Sequence, residues 1–402
     1  MGATRLACAR LTGSRTDTTE TIGELLARWA EAIGPSAIKL AQVLSYRGDL
    51  LPSELIGPLG RLQDRVSPPS DATLRRVMER LRTLGFTIVK DGPVAAGSVA
   101  FVLRSEGAGK DELALKIVRP GSERLIAWDL SIMRWLLRKA GRWIKVLEGL
   151  QLDGVFDSFA VLVTQQTDMT KEREFLERLR AILGPEIVVP RSYPSLCSST
   201  VLAMEYVDSG QPITSPDIPI ETYRTACLLL LRKLYQMLFI HGLVHCDLHP
   251  GNVRIAADGR LVIFDFGLVA EMTDRDRILF RDFFIALADR DTSTAVHCIV
   301  ESITNLPGNS ADLAFERGVR DILTRHSGLK AGEFLIARFV MELFELQRKH
   351  GCLGAPGFAN AVWALAMFEG LVRSRFPELD FQAEARPFVV SGLIRKLRQL
   401  VV

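Results

Sequence analysis

Residues 245–252 read HCDLHPGN and residues 262–267 read VIFDFG. Asp247 precedes Asn252 by five residues, and Asn252 precedes Asp265 by thirteen. Phosphotransfer of the protein-kinase type needs an Asp that orients a hydroxyl or water. It then needs an Asn and the Asp of an Asp-Phe-Gly triplet to hold Mg²⁺ on the nucleotide phosphates. The apolar run Leu261, Val262, Ile263, Phe264 leads into the second Asp as a strand would. A polar loop ahead of a buried strand explains either half alone, but not both at this spacing.

Upstream, Lys116 lies in the apolar strand text ALKIV. A Lys there is unfavourable unless paired, so a carboxylate and a phosphate are its expected partners, with snorkelling at a strand edge as the bland alternative. Glu172 in TDMTKEREFLERL is the chosen carboxylate, and Glu174 and Glu177 read as solvated competitors. Ala95, Ala96, Gly97 and Ser98 form a small-residue loop between two strand signals, 20 residues before Lys116 when counted from Ala96. Small side chains let backbone N–H groups approach phosphate. Glu205, at the end of strand text 201–207, marks the hinge position beside an adenine. His245 and His249 bracket Asp247 and read as loop residues that orient it. A metal role for them is disfavoured because Mg²⁺ prefers oxygen donors.

Downstream of Asp265 the text turns helical almost at once, and no Ala-Pro-Glu triplet follows. Protein kinases dock peptides on the segment missing here, so an ordinary Ser/Thr or Tyr kinase is not expected. The rest of the chain organises around this core. Thr21 to Glu24 reads as a capping box ahead of a helix. Asp71 can cap a helix that runs through Leu74, Val77, Met78 and Leu81 and ends at Gly85. Strands begin near Phe86 (TIVK, VAFVLR, LALKIV), followed by helical patterns at 121–147 and 155–183. An almost wholly helical remainder follows strand 201–207. The helix near 128–147 carries Ile132, Trp135, Leu136, Ala140, Trp143 and Leu147 on one face, and Arg134, Arg138, Arg142 and Lys145 on the other. Its Trp face is expected in the core, with contact to an anionic membrane surface as the sharper alternative.

Composition fits an enzyme core. Hydrophobic residues make up 48%, and 50 Lys and Arg against 47 Asp and Glu give a net charge of +3. No nucleic-acid partner is expected. The six cysteines (8, 197, 227, 246, 298, 352) show no metal-ligand or disulfide spacing. No signal peptide or membrane-spanning segment is read, so a cytoplasmic protein is expected, with peripheral membrane contact as an extension.

These motifs resemble the UbiB (AarF) family of atypical protein-kinase-like proteins, from about Ile33 to Asp291. IGPSAIKLAQVLSYRGDLLP (33–52) is similar to the family's Lys-x-Gly-Gln segment. PVAAGSVA (93–100) is similar to its alanine-rich loop, LALKIVRPG (113–121) to its nucleotide-binding strand, and HCDLHPGN and DFG to its catalytic and metal motifs. The resemblance implies that Lys116 contacts phosphates and pairs with Glu172, that Asp247 is the catalytic Asp, and that Asn252 and Asp265 bind the metal. It also implies that Lys39 and Gln42 belong to a segment folded over the place where a peptide would dock. Three positions depart from the pattern. Ala41 replaces a Gly, Gly97 replaces an Ala, and Gln166-Thr167-Asp168 lacks the first carboxylate of a Glu-x-Asp motif expected to pair with Lys39.

The expected fold is α+β and bilobal: a helical extension over 1–85, a β-rich lobe over 86–207 and a helical lobe over 208–402. The expected ligands are ATP and Mg²⁺. The expected activity is phosphotransfer to a small molecule or lipid, or ATP hydrolysis, linked to isoprenoid-quinone (ubiquinone) metabolism with a phenolic or isoprenoid partner. Alternatives from the same residues are a small-molecule kinase of the aminoglycoside or choline type, a nucleotide-binding scaffold without turnover, and a membrane-surface adaptor.

Overall fold

The computed structural model of the chain describes residues 23–25, 27–30, 58, 69–89, 92–97, 99–107, 111–140, 156, 160–161, 163–208, 210–304, 310–326 and 335–400. Lys39, Ala41, Gln42 and Ser98 lie outside these residues, as do Trp143 and Leu147. The chain divides into two compact units. One comprises Met1–Arg178 with Pro190–Val207, and the other Leu179–Val189 with Asp208–Val402.

In the first unit, helical residues at 23–25 and 27–30 precede α1 (Asp71–Thr83). Ser70, not Asp71, caps it: the Ser70 hydroxyl accepts from the Thr73 N–H at 3.3 Å. Asp71 instead occupies the first helical position, where its charge complements the helix dipole. Met78 and Leu81 face inward. Four strands follow: β1 (Thr87–Ile88), β2 (Ala95–Ala96), β3 (Ala100–Glu106) and β4 (Glu112–Val118). The stretch read as a small-residue loop is thus partly a strand. Ala95 and Ala96 pair with Val102 and Phe101. Leu113, Leu115 and Ile117 of β4 pack with Phe101, Leu103, Met78 and Leu81 in one core. Side chains alternate across a strand, so Lys116 points to the opposite face.

The helix α2 (Ser122–Ala140) comes next. Its packed residue Ile126 joins Phe156 and Val163, with Leu130 against them. These two positions are four apart and define the buried stripe. The expected burial of the Trp face is therefore overturned at Ile132 and Trp135, the two residues of that face whose side chains are described. Leu125, Trp128, Ile132 and Trp135 fall on the other side, and both Trp side chains are exposed (71% and 60%).

The helix α3 (Met169–Leu183) does not run on from 155 as the periodicity suggested; a turn at Gln166–Asp168 interrupts it. Asp168 accepts at one carboxylate oxygen from the Thr170 N–H (2.9 Å) and hydroxyl (2.5 Å). An Asp before the first helical turn satisfies N–H groups that have no partner within the helix, so it starts a helix more readily than it continues one. This start places Glu172 in the first turn, where its carboxylate accepts from Lys116 Nζ at 2.6 Å. After β5 (Ile187–Val188), which belongs to the second unit, β6 (Val201–Glu205) completes the first unit's five-stranded sheet in the order β1-β3-β4-β6, with β2 on β3.

The second unit is not the almost wholly helical remainder expected. Short strands surround the catalytic-loop text: β7 (Gln211–Pro212), β8 (Leu243–His245), β9 (Val253–Ile255), β10 (Leu261–Ile263) and β11 (Val269–Glu271). They form a four-stranded sheet, β5-β10-β9-β7, and a pair, β11-β8. Only β10, in the apolar run ahead of Asp265, was legible as a strand; the others are two or three residues of mixed polarity, too short to show a period. The helices are α4 (Ile220–Tyr235), continued by a π turn over Gln236–His241, then α5 (Asp274–Ala288), α6 (Thr292–Glu301), α7 (Ser310–His326), α8 (Ile336–Lys349), α9 (Pro356–Val372) and α10 (Phe381–Leu400). Their core is aromatic. Phe239 stacks on Tyr235 and Phe280 with centroids 5.5 and 5.7 Å apart, and Phe280 meets Phe358 edge-on at 5.2 Å. Buried phenol groups are satisfied by carbonyls: Tyr223 donates to Leu371 O and Tyr235 to Phe381 O. Among the described residues no helix is long and apolar enough to cross a membrane.

Two stability outcomes follow. Gly210 has φ 55°, and a Cβ there would lie 2.1 Å from the Ile255 carbonyl oxygen. Gly210→Ala is expected to destabilise by more than about 2 kcal/mol in urea unfolding, through backbone overlap next to β9. The Lys116 and Glu172 side chains are 14% and 3% exposed. Glu172→Leu leaves a buried ammonium without this partner and is expected to lose about 3–5 kcal/mol. The double variant Lys116→Met/Glu172→Leu is expected to recover most of that loss. Equal midpoints for the single and double variants would remove the pair from the account of stability.

Candidate functional site

In the second unit, the β8–β11 pair delivers His245 and Phe266 to one place, and the β9–β10 hairpin delivers Asn252 and Asp265. Val253 pairs with Ile263 across that hairpin, so the residues just outside it, Asn252 and Phe264, meet: the Phe264 N–H donates to Asn252 O at 2.9 Å. Asn252 in turn reaches back to Asp247. Its Nδ2 donates to the Asp247 carbonyl at 3.1 Å and lies 3.4 Å from Asp247 Oδ2. With Nδ2 committed there, the Asn252 amide oxygen is the atom its side chain offers to a cation.

His245 joins the catalytic-loop text to the Asp-Phe-Gly text. Its Nδ1 accepts from the Asp247 N–H at 3.2 Å, which places the proton of the neutral ring on Nε2. Nε2 lies 2.9 Å from the Asp265 carbonyl oxygen and donates to it. Burial pushes the His245 pKa below the usual imidazole range, against an opposing pull from the Asp247 and Asp265 carboxylates. The buried ring of Phe266 packs edge-on to His245 at 5.9 Å.

Asp265 has φ 61°, the left-handed region that non-glycine residues rarely adopt. Its Oδ1 accepts from the Gly267 N–H at 3.0 Å, a local turn that offsets the strain. Backbone outliers of this kind, each worth on the order of 1–3 kcal/mol, collect at functional sites. The Asp265 side chain is exposed, whereas Asp247 is buried. Asn252 and Asp265 thus supply hard oxygen donors. That suits Mg²⁺, which takes one or two carboxylates and completes its shell with phosphates and water. Among the described residues no group of three His, Cys, Asp or Glu side chains gathers as a transition-metal site would.

In the first unit, Lys116 and Glu172 are brought together as described. Glu174 is exposed, with Lys171 at 3.4 Å, and Glu177 accepts from the Ser192 N–H and hydroxyl. Ala95 and Ala96 lie on the hairpin edge. The Gly97 N–H donates to Ala100 O at 2.8 Å, so that N–H closes the hairpin. Among the described residues, a Cβ on Gly97 would meet Ala100 O, at 3.4 Å. Glu205 ends β6, exposed, with its carboxylate 3.4 Å from the Arg191 N–H.

Two residues here escaped the sequence reading. Arg119, just past β4, donates from Nε to Gly97 O at 2.9 Å and from its backbone N–H to Val99 O at 2.8 Å, so it fastens the hairpin to the Lys116 strand. The only trace in the text was a basic residue after ALKIV. Gly251 is the other: a Cβ on it would lie 2.6 Å from His249 Cε1.

Comparison with known proteins bears on this arrangement. The chain is 28% identical over 361 residues to the uncharacterized protein slr0889 of Synechocystis sp. (strain ATCC 27184 / PCC 6803 / Kazusa), covering 82% of this chain and 86% of that protein. It is 27% identical over 387 residues to the probable protein kinase UbiB of Cellvibrio japonicus (strain Ueda107), covering 91% of this chain and 68% of that one. A solved Mycobacterium tuberculosis structure, the complex of Rv3197 with erythromycin, aligns over 85% of this chain and 91% of its own, with 20% identity and a TM-score of 0.45. Residues 61–299 match the ABC1 atypical kinase-like domain, more than half of the chain. With its α+β architecture, this chain belongs to the ABC1 atypical kinase-like family.

Proposed function

We propose that the protein binds Mg²⁺-ATP and either transfers phosphate to a small molecule or lipid or hydrolyses ATP. The observation that carries this is the Asn252 side-chain amide on Asp247, in a loop whose His245 ring is bonded to Asp265 O. That arrangement presents a carboxylate beside the oxygen donors suited to Mg²⁺. Asp247 orients the attacking hydroxyl or water, and Asn252 and Asp265 hold the cation. Bound Mg²⁺ would neutralise charge developing on the phosphates. In this reading Lys116, fixed by Glu172, contacts phosphate, with the small residues Ala95, Ala96 and Gly97 over it and Glu205 beside the base. The family resemblance adds an isoprenoid or phenolic substrate and a link to quinone metabolism. On the same resemblance, Lys39 and Gln42 are proposed as nucleotide contacts.

Differential scanning fluorimetry tests binding. Ligand held only by the folded state stabilises by about 2.7 kcal/mol at a hundredfold excess over Kd. Mg²⁺-ADP or Mg²⁺-ATP is expected to raise the wild-type midpoint, and Asp265→Asn to remove most of the rise. Asp247→Asn is expected to keep nucleotide affinity while lowering ADP release on the order of 10²–10⁴-fold. An unmoved wild-type midpoint at millimolar nucleotide overturns the reading. Binding without ADP release, with lipids and phenols added, supports the scaffold instead.

A membrane contact rests on a separate observation, the exposed stripe Leu125, Trp128, Ile132 and Trp135 on α2. Arg124 is exposed beside it, and the sequence continues with Arg138, Lys139, Arg142 and Lys145. Aromatic residues with a basic flank fit an anionic lipid surface. In vesicle flotation, binding to phosphatidylglycerol-containing vesicles is expected and is lost in Trp128→Ser/Trp135→Ser, with little binding to phosphatidylcholine alone. Equal flotation of the variant and the wild type would sink this reading.

A further inference from the structure

Between Asp247 and Asn252 the loop carries His249, Pro250 and Gly251, to which the proposed chemistry gives no part. The Gly251 N–H donates to His249 Nδ1 at 3.0 Å. With Nδ1 accepting, the proton of the neutral ring sits on Nε2. Nε2 lies 3.8 Å from Asp247 Oδ2. On the same carboxylate oxygen stands Asn252 Nδ2, at 3.4 Å. The ring's backbone is held as firmly as its tip: the His249 carbonyl accepts from the N–H groups of Asn252 (2.9 Å) and Val253 (3.2 Å).

Gly251 shows why the ring stays there. It is not among the glycines with positive φ, so its torsions do not call for glycine. Space does: a Cβ would lie 2.6 Å from His249 Cε1 and 2.9 Å from Nδ1. Cβ atoms do not approach that closely, so any larger residue at 251 moves the imidazole. A glycine kept clear for the ring, and an N–H that fixes the ring's tautomer, are independent features of one seat.

We infer that His249 is a positioning residue for Asp247: it presents Nε2–H to the carboxylate and, with Asn252, fixes the orientation in which Asp247 meets the attacking hydroxyl or water, while Gly251 provides the seat. The inference rests on the proposed role of Asp247. At 3.8 Å the contact is longer than a hydrogen bond. Such contacts are commonly long without substrate and tighten in the reacting complex.

Amide substitutions separate this role from loop packing. His249→Asn keeps an acceptor where Nδ1 meets the Gly251 N–H but cannot reach Asp247. His249→Gln keeps an N–H donor near the Nε2 position. Positioning predicts that Asn loses kcat on the order of 10²-fold, the scale of a displaced catalytic group, and that Gln retains much more. Nucleotide affinity from the fluorimetric titration is expected to stay within about twofold in both, since the loss lies in the chemical step. Gly251→Ala is expected to lower kcat in the wild type and to add little in His249→Ala, where the ring is gone. Wild-type kcat in His249→Asn, or additive losses in the double variant, overturns the inference.

If the wild type turns nothing over, the role of Asp247 fails and the seat is tested alone by long-range ¹H–¹⁵N spectra of histidine-labelled protein. An Nε2–H tautomer at His249 that shifts in Asp247→Asn is the expected result. An Nδ1–H tautomer, or no response to that substitution, overturns the geometry.

Discussion

One buried imidazole holds the candidate site together. His245 is sealed from solvent, so both ring nitrogens must be satisfied by protein. One accepts from the Asp247 N–H and the other donates to the Asp265 carbonyl. A protonated ring would be a donor at both nitrogens, and the Asp247 N–H would lose its acceptor. Burial disfavours that charge, so the neutral ring and the loop geometry support each other. The two segments joined this way are 20 residues apart. His245 closes β8, where it pairs with Val269, whereas Asp265 lies outside any strand and has no backbone ladder to set its course. The left-handed Asp265 is tolerable because its carbonyl is held by this ring and its carboxylate by the Gly267 N–H.

The sequence announced the parts whose chemistry is local and concealed those that depend on packing. The grouping of Asp247, Asn252 and Asp265 was legible because the two motifs fix residue type and spacing together. Lys116 was legible because a cation inside ALKIV needs a partner. Its partner on α3 had three candidates, and register decided. Glu172 sits in the first turn behind the Asp168 cap, facing β4, whereas Glu174 turns to solvent and Glu177 to Ser192. Helical periodicity ran through Gln166–Asp168 because apolar spacing carries no record of a break. The cap that causes the break is a single carboxylate. The strands around the catalytic loop are two or three residues each, shorter than any periodic signal, and only the apolar run ahead of Asp265 reads as one. The orientation of α2 could not be read from its apolar residues, which lie on more than one face. The partners Phe156 and Val163 chose Ile126 and Leu130.

The same logic bears on the departure at position 166. The resemblance leads one to expect a carboxylate there as a counter-charge to Lys39, and Gln166 supplies none. Lys39 lies outside the described residues; the motif's remaining carboxylate, Asp168, is engaged as a helix cap through Thr170, and Lys116 meets Glu172 as the resemblance implies. A cap acts on backbone N–H groups and does so from either a charged or a neutral oxygen. The ion pair acts on a buried charge and needs a carboxylate. The two duties therefore fall on different residues: Asp168 sets where α3 begins, and Glu172 neutralises the ammonium that this start brings within reach. The pair at Lys116 does not draw on position 166, so the absent charge there leaves it intact.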